Sequence, residues 1–211
     1  MTTINQADNV AIPSSRWFFL LLLGILAIFC TQVAQGYFIL CDRAVAEWVA
    51  TLRSPGWDET VRTITFFGSS GWAWLALGGW GWWAWRRRAW PLALRVIGAF
   101  GLGLILEIAL RLVVGQWRPD TLLVPAVMDW RTRFALAGFP SGHGYRSAFV
   151  FGWLMRRVSP SRWAKAIRWG SLAMIVLVGF SRLYLNRHWA TDVIGSWLLA
   201  CVALSLARRT G

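Results

Sequence analysis

The 211-residue sequence holds only two histidines, and each lies in a short cluster of the residue types that handle phosphate. His143 closes Pro140-Ser141-Gly142-His143. His188 follows Ser181-Arg182 after five residues and precedes Asp192 by four positions. A third cluster, upstream of both, is Arg111 followed by Arg118-Pro119. Arg111, Arg118 and Arg182 supply planar forks of N–H donors that match phosphate oxygens. Ser141 is a good helix N-cap, and Gly142 admits close backbone approach. A helix beginning there offers free N–H groups and a positive dipole end to an anion. If the stretch is helical, His188 and Asp192 share a face and the carboxylate sets the ring's tautomer. An oriented imidazole serves as nucleophile or base, and a second histidine can serve as acid. Such a set suits attack on phosphorus, with arginines stabilising charge on the transferring group.

The elements that must position these residues are apolar helices. Hydrophobic residues make up 57% of the chain and charged residues only 15%, against about 25% charged in ordinary soluble domains. The runs Trp17–Cys41 and Thr63–Trp85 contain no charged residue, and roughly 20 apolar helical residues cross a bilayer. The first run exceeds the core of a cleaved signal peptide, although Arg16 and Ala44-Val45-Ala46 imitate its flanks. Apolar runs between charge clusters predict six membrane helices, at about 17–40, 66–85, 91–115, 142–156, 168–185 and 190–207. The fold expected is therefore all-α, a single-domain integral membrane bundle spanning 1–211. Residues 42–62 predict a short amphipathic helix lying along the outer interface.

Charge gives this bundle a direction. The formal net charge is +13, which in a soluble protein would suggest nucleic acid. Here the basic residues flank apolar segments, the pattern that orients membrane proteins, and no nucleic-acid partner is expected. Alternating the connections puts 12 basic residues and one acidic residue on one side, net +11. The other side has 10 basic and eight acidic residues, net +2. Both termini are thus expected in the cytoplasm and the three clusters on the opposite face. Cys30, Cys41 and Cys201 have neither disulfide-framework nor metal-ligand spacing. Trp72, Trp74, Trp80, Trp82, Trp83, Trp85 and Trp90 read as headgroup-level and interhelical packing.

Each cluster alone has a bland reading: an arginine anchor, a Ser-Gly cap, an aspartate that caps the last helix. Their joint placement on one face of a membrane protein favours function, because polar groups there are expensive. The three clusters resemble the three motifs of the type-2 phosphatidic acid phosphatase superfamily of membrane lipid phosphate phosphatases. That family's motifs are Lys, six residues, Arg-Pro; Pro-Ser-Gly-His; and Ser-Arg, five residues, His, three residues, Asp. The second and third match at every specified position, and Arg111 stands where the family usually has Lys. The motifs span 111–192, and the six-helix layout extends the likeness over nearly the whole chain.

The resemblance implies that His188 is the nucleophile and forms a phosphohistidine, that Asp192 orients it, and that His143 protonates the departing lipid oxygen. It implies that Arg111, Arg118, Ser141, Gly142 and Arg182 hold the phosphate, with no metal or other cofactor. Glu107 is positioned for a helical ion pair with Arg111, functional or merely structural. Arg146 and Arg187 either contact a second phosphate or are interfacial charges. With an outward-facing site in a bacterial cytoplasmic membrane, undecaprenyl diphosphate is the first substrate expectation. Phosphatidylglycerophosphate, phosphatidic acid and lipid A phosphates are the alternatives. A phosphotransferase and a non-enzymatic transporter remain as competing classes.

Overall fold

Long apolar stretches leave the backbone no partner but itself, so they fold as helices. The computed structural model describes residues 16–121 and 130–207, apart from the side chain of residue 133, and the described residues form nine helices. These are α1 (Arg16–Ala34), α2 (Ile39–Thr51), α3 (Pro55–Phe66), α4 (Ser70–Arg86), α5 (Trp90–Val114), α6 (Trp130–Leu136), α7 (Gly142–Arg157), α8 (Ala164–Tyr184) and α9 (Ala190–Leu206). Three of them, α1, α5 and α8, are long and apolar enough to cross a membrane, and α9 is a shorter apolar helix of 17 residues. The protein is an all-helical integral membrane protein over the described residues. The expected cytoplasmic termini lie outside them.

The boundaries depart from the sequence reading where backbone chemistry intervenes. The first helix ends at Ala34, not near residue 40, because the chain turns through Gly36 at φ 76°. Glycine enters that left-handed region without steric cost. The expected amphipathic helix over 42–62 is two helices. Ser54 is extended (φ −151°, ψ 150°) and Pro55 opens α3; proline suits the first helical turn and disfavours helix in the residue before it. The short helix α6 carries too few apolar positions for its period to stand out.

α7 is the pivot of the bundle. It packs on α8, α9 and α4, and α9 in turn packs on α1 and α5. Its buried face includes Tyr145, Phe149 and Trp153. The Tyr145 ring stacks on Phe100 of α5 at 5.7 Å, and its hydroxyl donates to the Phe100 carbonyl at 2.8 Å. Gly103 leaves room for that ring, since a Cβ there would collide with the Tyr145 hydroxyl. A buried aromatic hydroxyl with a partner adds packing without an orphaned donor. At one end of the bundle the Ser141 N–H donates to the Asp192 carbonyl (3.0 Å), and at the other Arg156 donates to the Leu204 carbonyl (2.6 Å). α7 and α9 therefore run parallel and begin together, and this shared beginning is where the polar clusters gather.

Candidate active site

Local turns bring the three clusters to one end of the bundle. α5 stops at Gly115 (φ 63°), whose N–H donates to the Arg111 carbonyl at 3.3 Å. The chain then pairs briefly with 136–138: the Arg118 N–H donates to the Leu136 carbonyl at 3.1 Å, and the Gly138 N–H to the Gln116 carbonyl at 2.7 Å. That pairing sets Arg118 immediately before Pro140-Ser141. Gly138 is required, because a Cβ there would lie 2.7 Å from Asp192 Oδ2 and 3.2 Å from Arg118 Cγ.

α8 ends in a left-handed cap. Asn186 sits at φ 57°, the Arg187 N–H donates to the Arg182 carbonyl (3.0 Å) and the Asn186 N–H to the Leu183 carbonyl (2.9 Å). This is the paired bonding of a Schellman motif, and asparagine tolerates its αL position better than most residues. The five-residue spacing from Arg182 to His188 is the length of that cap.

His188 precedes α9 instead of lying within it, so its contact with Asp192 is not the shared helical face that the spacing anticipates. Asp192 is the third residue of α9, and its carboxylate reaches back across the helix start. Oδ2 accepts the Trp189 N–H at 2.9 Å and lies 3.2 Å from His188 Nδ1. Both side chains are buried. Oδ2 already acts as an acceptor for the Trp189 N–H, and an acceptor oxygen facing the ring pairs with a protonated Nδ1, which leaves Nε2 its lone pair. Burial pushes His188 well below the ordinary histidine value of 6.5, and the guanidinium groups of Arg182, Arg118 and Arg111 push in the same direction. The ring is held neutral.

Ser141 is buried and caps α7, its hydroxyl oxygen accepting the Gly144 N–H at 3.3 Å. The first-turn amides of Gly142 and His143 have no place in the helical ladder. His143 is clasped from outside by Gly68, where a Cβ would lie 2.8 Å from the His143 carbonyl oxygen. Gly142 is needed for a reason besides ligand approach: a Cβ on it would meet Glu107 Oε1 at 2.5 Å and Arg146 Nη1 at 2.6 Å.

Around these groups stand the arginines. Arg111 Nη2 pairs with Glu107 Oε1 at 2.9 Å, the i,i+4 contact its spacing anticipates, and its guanidinium lies 5.2 Å from the Phe134 ring centre. Arg182 Nη1 donates to Thr65 Oγ1 of α3 at 2.9 Å. Arg187 pairs with Asp120 at 2.8 Å and is exposed. The Nε atoms of Arg111, Arg118 and Arg182, together with Arg146 Nη1, are buried with no hydrogen-bond partner among the described residues. Each such orphan costs about 1–3 kcal/mol. An anion with several acceptor oxygens would satisfy donors arranged this way. Among the described residues no three His, Cys, Asp or Glu side chains gather as a metal would need.

One part of the site was missed in the sequence. Asp42 of α2 is 2% exposed; its carboxylate accepts the Thr191 N–H (3.0 Å), the Thr191 hydroxyl (2.6 Å) and the Gln116 amide (3.1 Å). It caps α9 beside Asp192 from a segment more than a hundred residues away, where an anion complements the helix dipole. The available signal was a lone acid at the edge of the first apolar run.

Sequence comparison bears on what this arrangement does. The PAP2 superfamily model, the type-2 phosphatidic acid phosphatase superfamily, matches residues 92–210. The chain belongs to the PAP2 superfamily. It is an enzyme of that group, a membrane lipid phosphate hydrolase of metal-independent type. Phosphatidylglycerophosphatase B of Bacillus subtilis (strain 168) is 28% identical over 203 residues, covering 93% of each chain. The crystal structure of a transmembrane PAP2-type phosphatidylglycerolphosphate phosphatase from Bacillus subtilis shares the fold at TM-score 0.70 and 24% identity, covering 90% of this chain and 93% of that one. Aquifex aeolicus LpxE shares it at TM-score 0.58 and 23% identity, over 77% and 93%.

Proposed function

We propose that this PAP2 enzyme hydrolyses a lipid phosphate monoester, phosphatidylglycerophosphate being the best-supported substrate, through a phosphohistidine on His188. The observation that carries the reading is the buried His188–Asp192 pair facing guanidinium groups with unpartnered donors. Nε2 of His188 attacks phosphorus, forming an N–P bond as the bond from phosphorus to the lipid oxygen breaks. His143 gives its proton to that departing oxygen, then takes one from the water that cleaves the N–P bond. Arg111, Arg118 and Arg182, the Ser141 hydroxyl and the Gly142 amide bind the phosphoryl oxygens as charge builds.

The choice of a monoester rests on where the extra cations lie. Arg187 is engaged with Asp120, and Arg146 is turned toward Glu107 and Gly142. We assign the unpartnered Arg146 Nη1 beside Gly142 to the monoester's own phosphate, so neither arginine is assigned to a second one. The Bacillus subtilis relative, named for phosphatidylglycerophosphate, supports the same substrate. Our reading of the membrane arrangement has α1, α4, α5, α7, α8 and α9 crossing a bacterial cytoplasmic membrane. The basic ends of α4 and α7 then lie in the cytoplasm with both termini, and the site opens on the outer face.

The deciding experiment is phosphate release by purified protein from phosphatidylglycerophosphate, phosphatidic acid, a lipid A phosphate and undecaprenyl diphosphate, alongside His188→Ala and Arg187→Ala. We expect the highest kcat/KM on phosphatidylglycerophosphate, no turnover in His188→Ala, and a change under about threefold in Arg187→Ala, since exposed ion pairs contribute only about 0–1 kcal/mol. A preference for the diphosphate that Arg187→Ala abolishes would reject the monoester reading.

A further inference from the structure

We infer that the cavity beside Arg118 receives the apolar, glycerol-proximal part of the lipid whose phosphate the arginines hold, a placement that rests on the lipid phosphatase reading above. The cavity has a volume of about 560 Å³ and lies between the α1–α2 joint and the turn after α5. Val33, Ala34, Phe38 and Ile39 form one wall, and Val114 and Trp189 stand opposite.

Its polar lining decides what it can hold. Asp42 and Gln116 border the cavity, yet they are engaged with each other and with Thr191. Breaking those bonds for a ligand would expose a buried carboxylate. Arg118 borders the same space and is the one cation among its described lining residues. A fitting ligand therefore has an anion at Arg118 and an apolar remainder, which describes the near end of a lipid phosphate. A soluble phosphate ester has a polar remainder and gains nothing from these walls. The volume falls within the 300–1,000 Å³ range typical of ligand sites, suited to the first part of a lipid with the rest of its chains outside.

Burying a methylene contributes roughly fourfold in affinity, so the cavity should appear as dependence on chain, not on phosphate. Ile39→Trp and Ala34→Trp, both at exposed positions, would place an indole in the cavity. The readout is kcat/KM on a dioctanoyl lipid phosphate divided by kcat/KM on glycerol 3-phosphate. We expect this ratio to fall about tenfold or more in both variants, the equivalent of two lost methylenes. A ratio within about twofold of wild type overturns the inference, and so does an equal loss on both substrates. A second measurement needs no variant: a lipid phosphate with a diazirine near the glycerol end is photolysed on the intact protein. Labels within 33–39 and 114–119 support the cavity, and labels confined to other segments overturn it. Labelling there by a wild-type protein that hydrolyses no phosphate would retain the cavity and reject the phosphatase reading.

Discussion

Asp192→Asn isolates the negative charge behind the proposed nucleophile while nearly preserving shape. In the native site one oxygen, Oδ2, accepts the Trp189 N–H at 2.9 Å and faces His188 Nδ1 at 3.2 Å. An asparagine oxygen can keep the backbone bond, so the start of α9 survives. What changes is the imidazole. A hydrogen bond to a charged group contributes about 1.5–3 kcal/mol, against about 0.5–1.5 kcal/mol for a neutral one. If the amide instead turns its N–H toward Nδ1, it gives up the Trp189 bond and favours the opposite tautomer, placing the proton on Nε2. Losing the charge and part of the correct tautomer raises the barrier by about 3–5 kcal/mol, which at 1.36 kcal/mol per decade is about 10²–10⁴-fold in kcat. KM should move less than about threefold, because the proposed phosphate contacts are to arginines and the α7 amides. Steady-state phosphate release from a short-chain lipid phosphate, with helicity followed by circular dichroism, provides the assay. A kcat within about threefold of wild type, or an effect carried wholly by KM, would refute the role given to Asp192.

Three further outcomes follow from the same geometry. Asn186→Gly should retain activity and Asn186→Val should lose most of it, because a β-branched residue at φ 57° costs about 1–3 kcal/mol and shifts the cap that sets His188; equal activity in the two would dissociate the cap from the site. His188, held well below 6.5 by burial and its arginine neighbours, stays neutral as pH falls through that value, so its imidazole NMR signals should show no titration between about pH 6 and 7. A midpoint at or above 6.5 contradicts this. Arg111→Lys should keep most activity, since charge and pairing with Glu107 (2.9 Å) remain possible, while Arg111→Ala should lose about 10²-fold or more and leave Glu107 buried and unpaired; a lysine variant as inactive as alanine would show that the planar fork is essential.

Much of the molecule was legible as sequence because the governing rules are local. Apolar runs bounded by arginines located α5, α7, α8 and α9 to within a few residues, since a bilayer-crossing chain has to satisfy its own backbone. Glu107 and Arg111 pair because four residues is one helical turn. His143, Ser141, Arg182, His188 and Asp192 stood out because polar residues of those types rarely cluster in an apolar chain. The Schellman cap at Asn186 obeys a local rule as well, although a left-handed asparagine leaves too faint a signal among many loop residues.

Tertiary structure decided everything that depends on which distant segment approaches. Spacing alone puts His188 and Asp192 on a helix face, but the helix begins after His188, and the contact runs through a cap shared with Trp189. Arg187 and Asp120 meet at 2.8 Å across 67 positions of sequence, a pairing that no local spacing suggests. Asp42 reads as one polar residue of an interfacial helix, and only packing of α2 against α9 makes it the buried cap of Thr191. Residue types and short spacings determine which chemistry is possible, because helices and turns repeat identical geometry wherever they occur. Which charges are spent on one another and which face a ligand is settled by long-range packing, for a charge pairs with whatever the fold brings within reach.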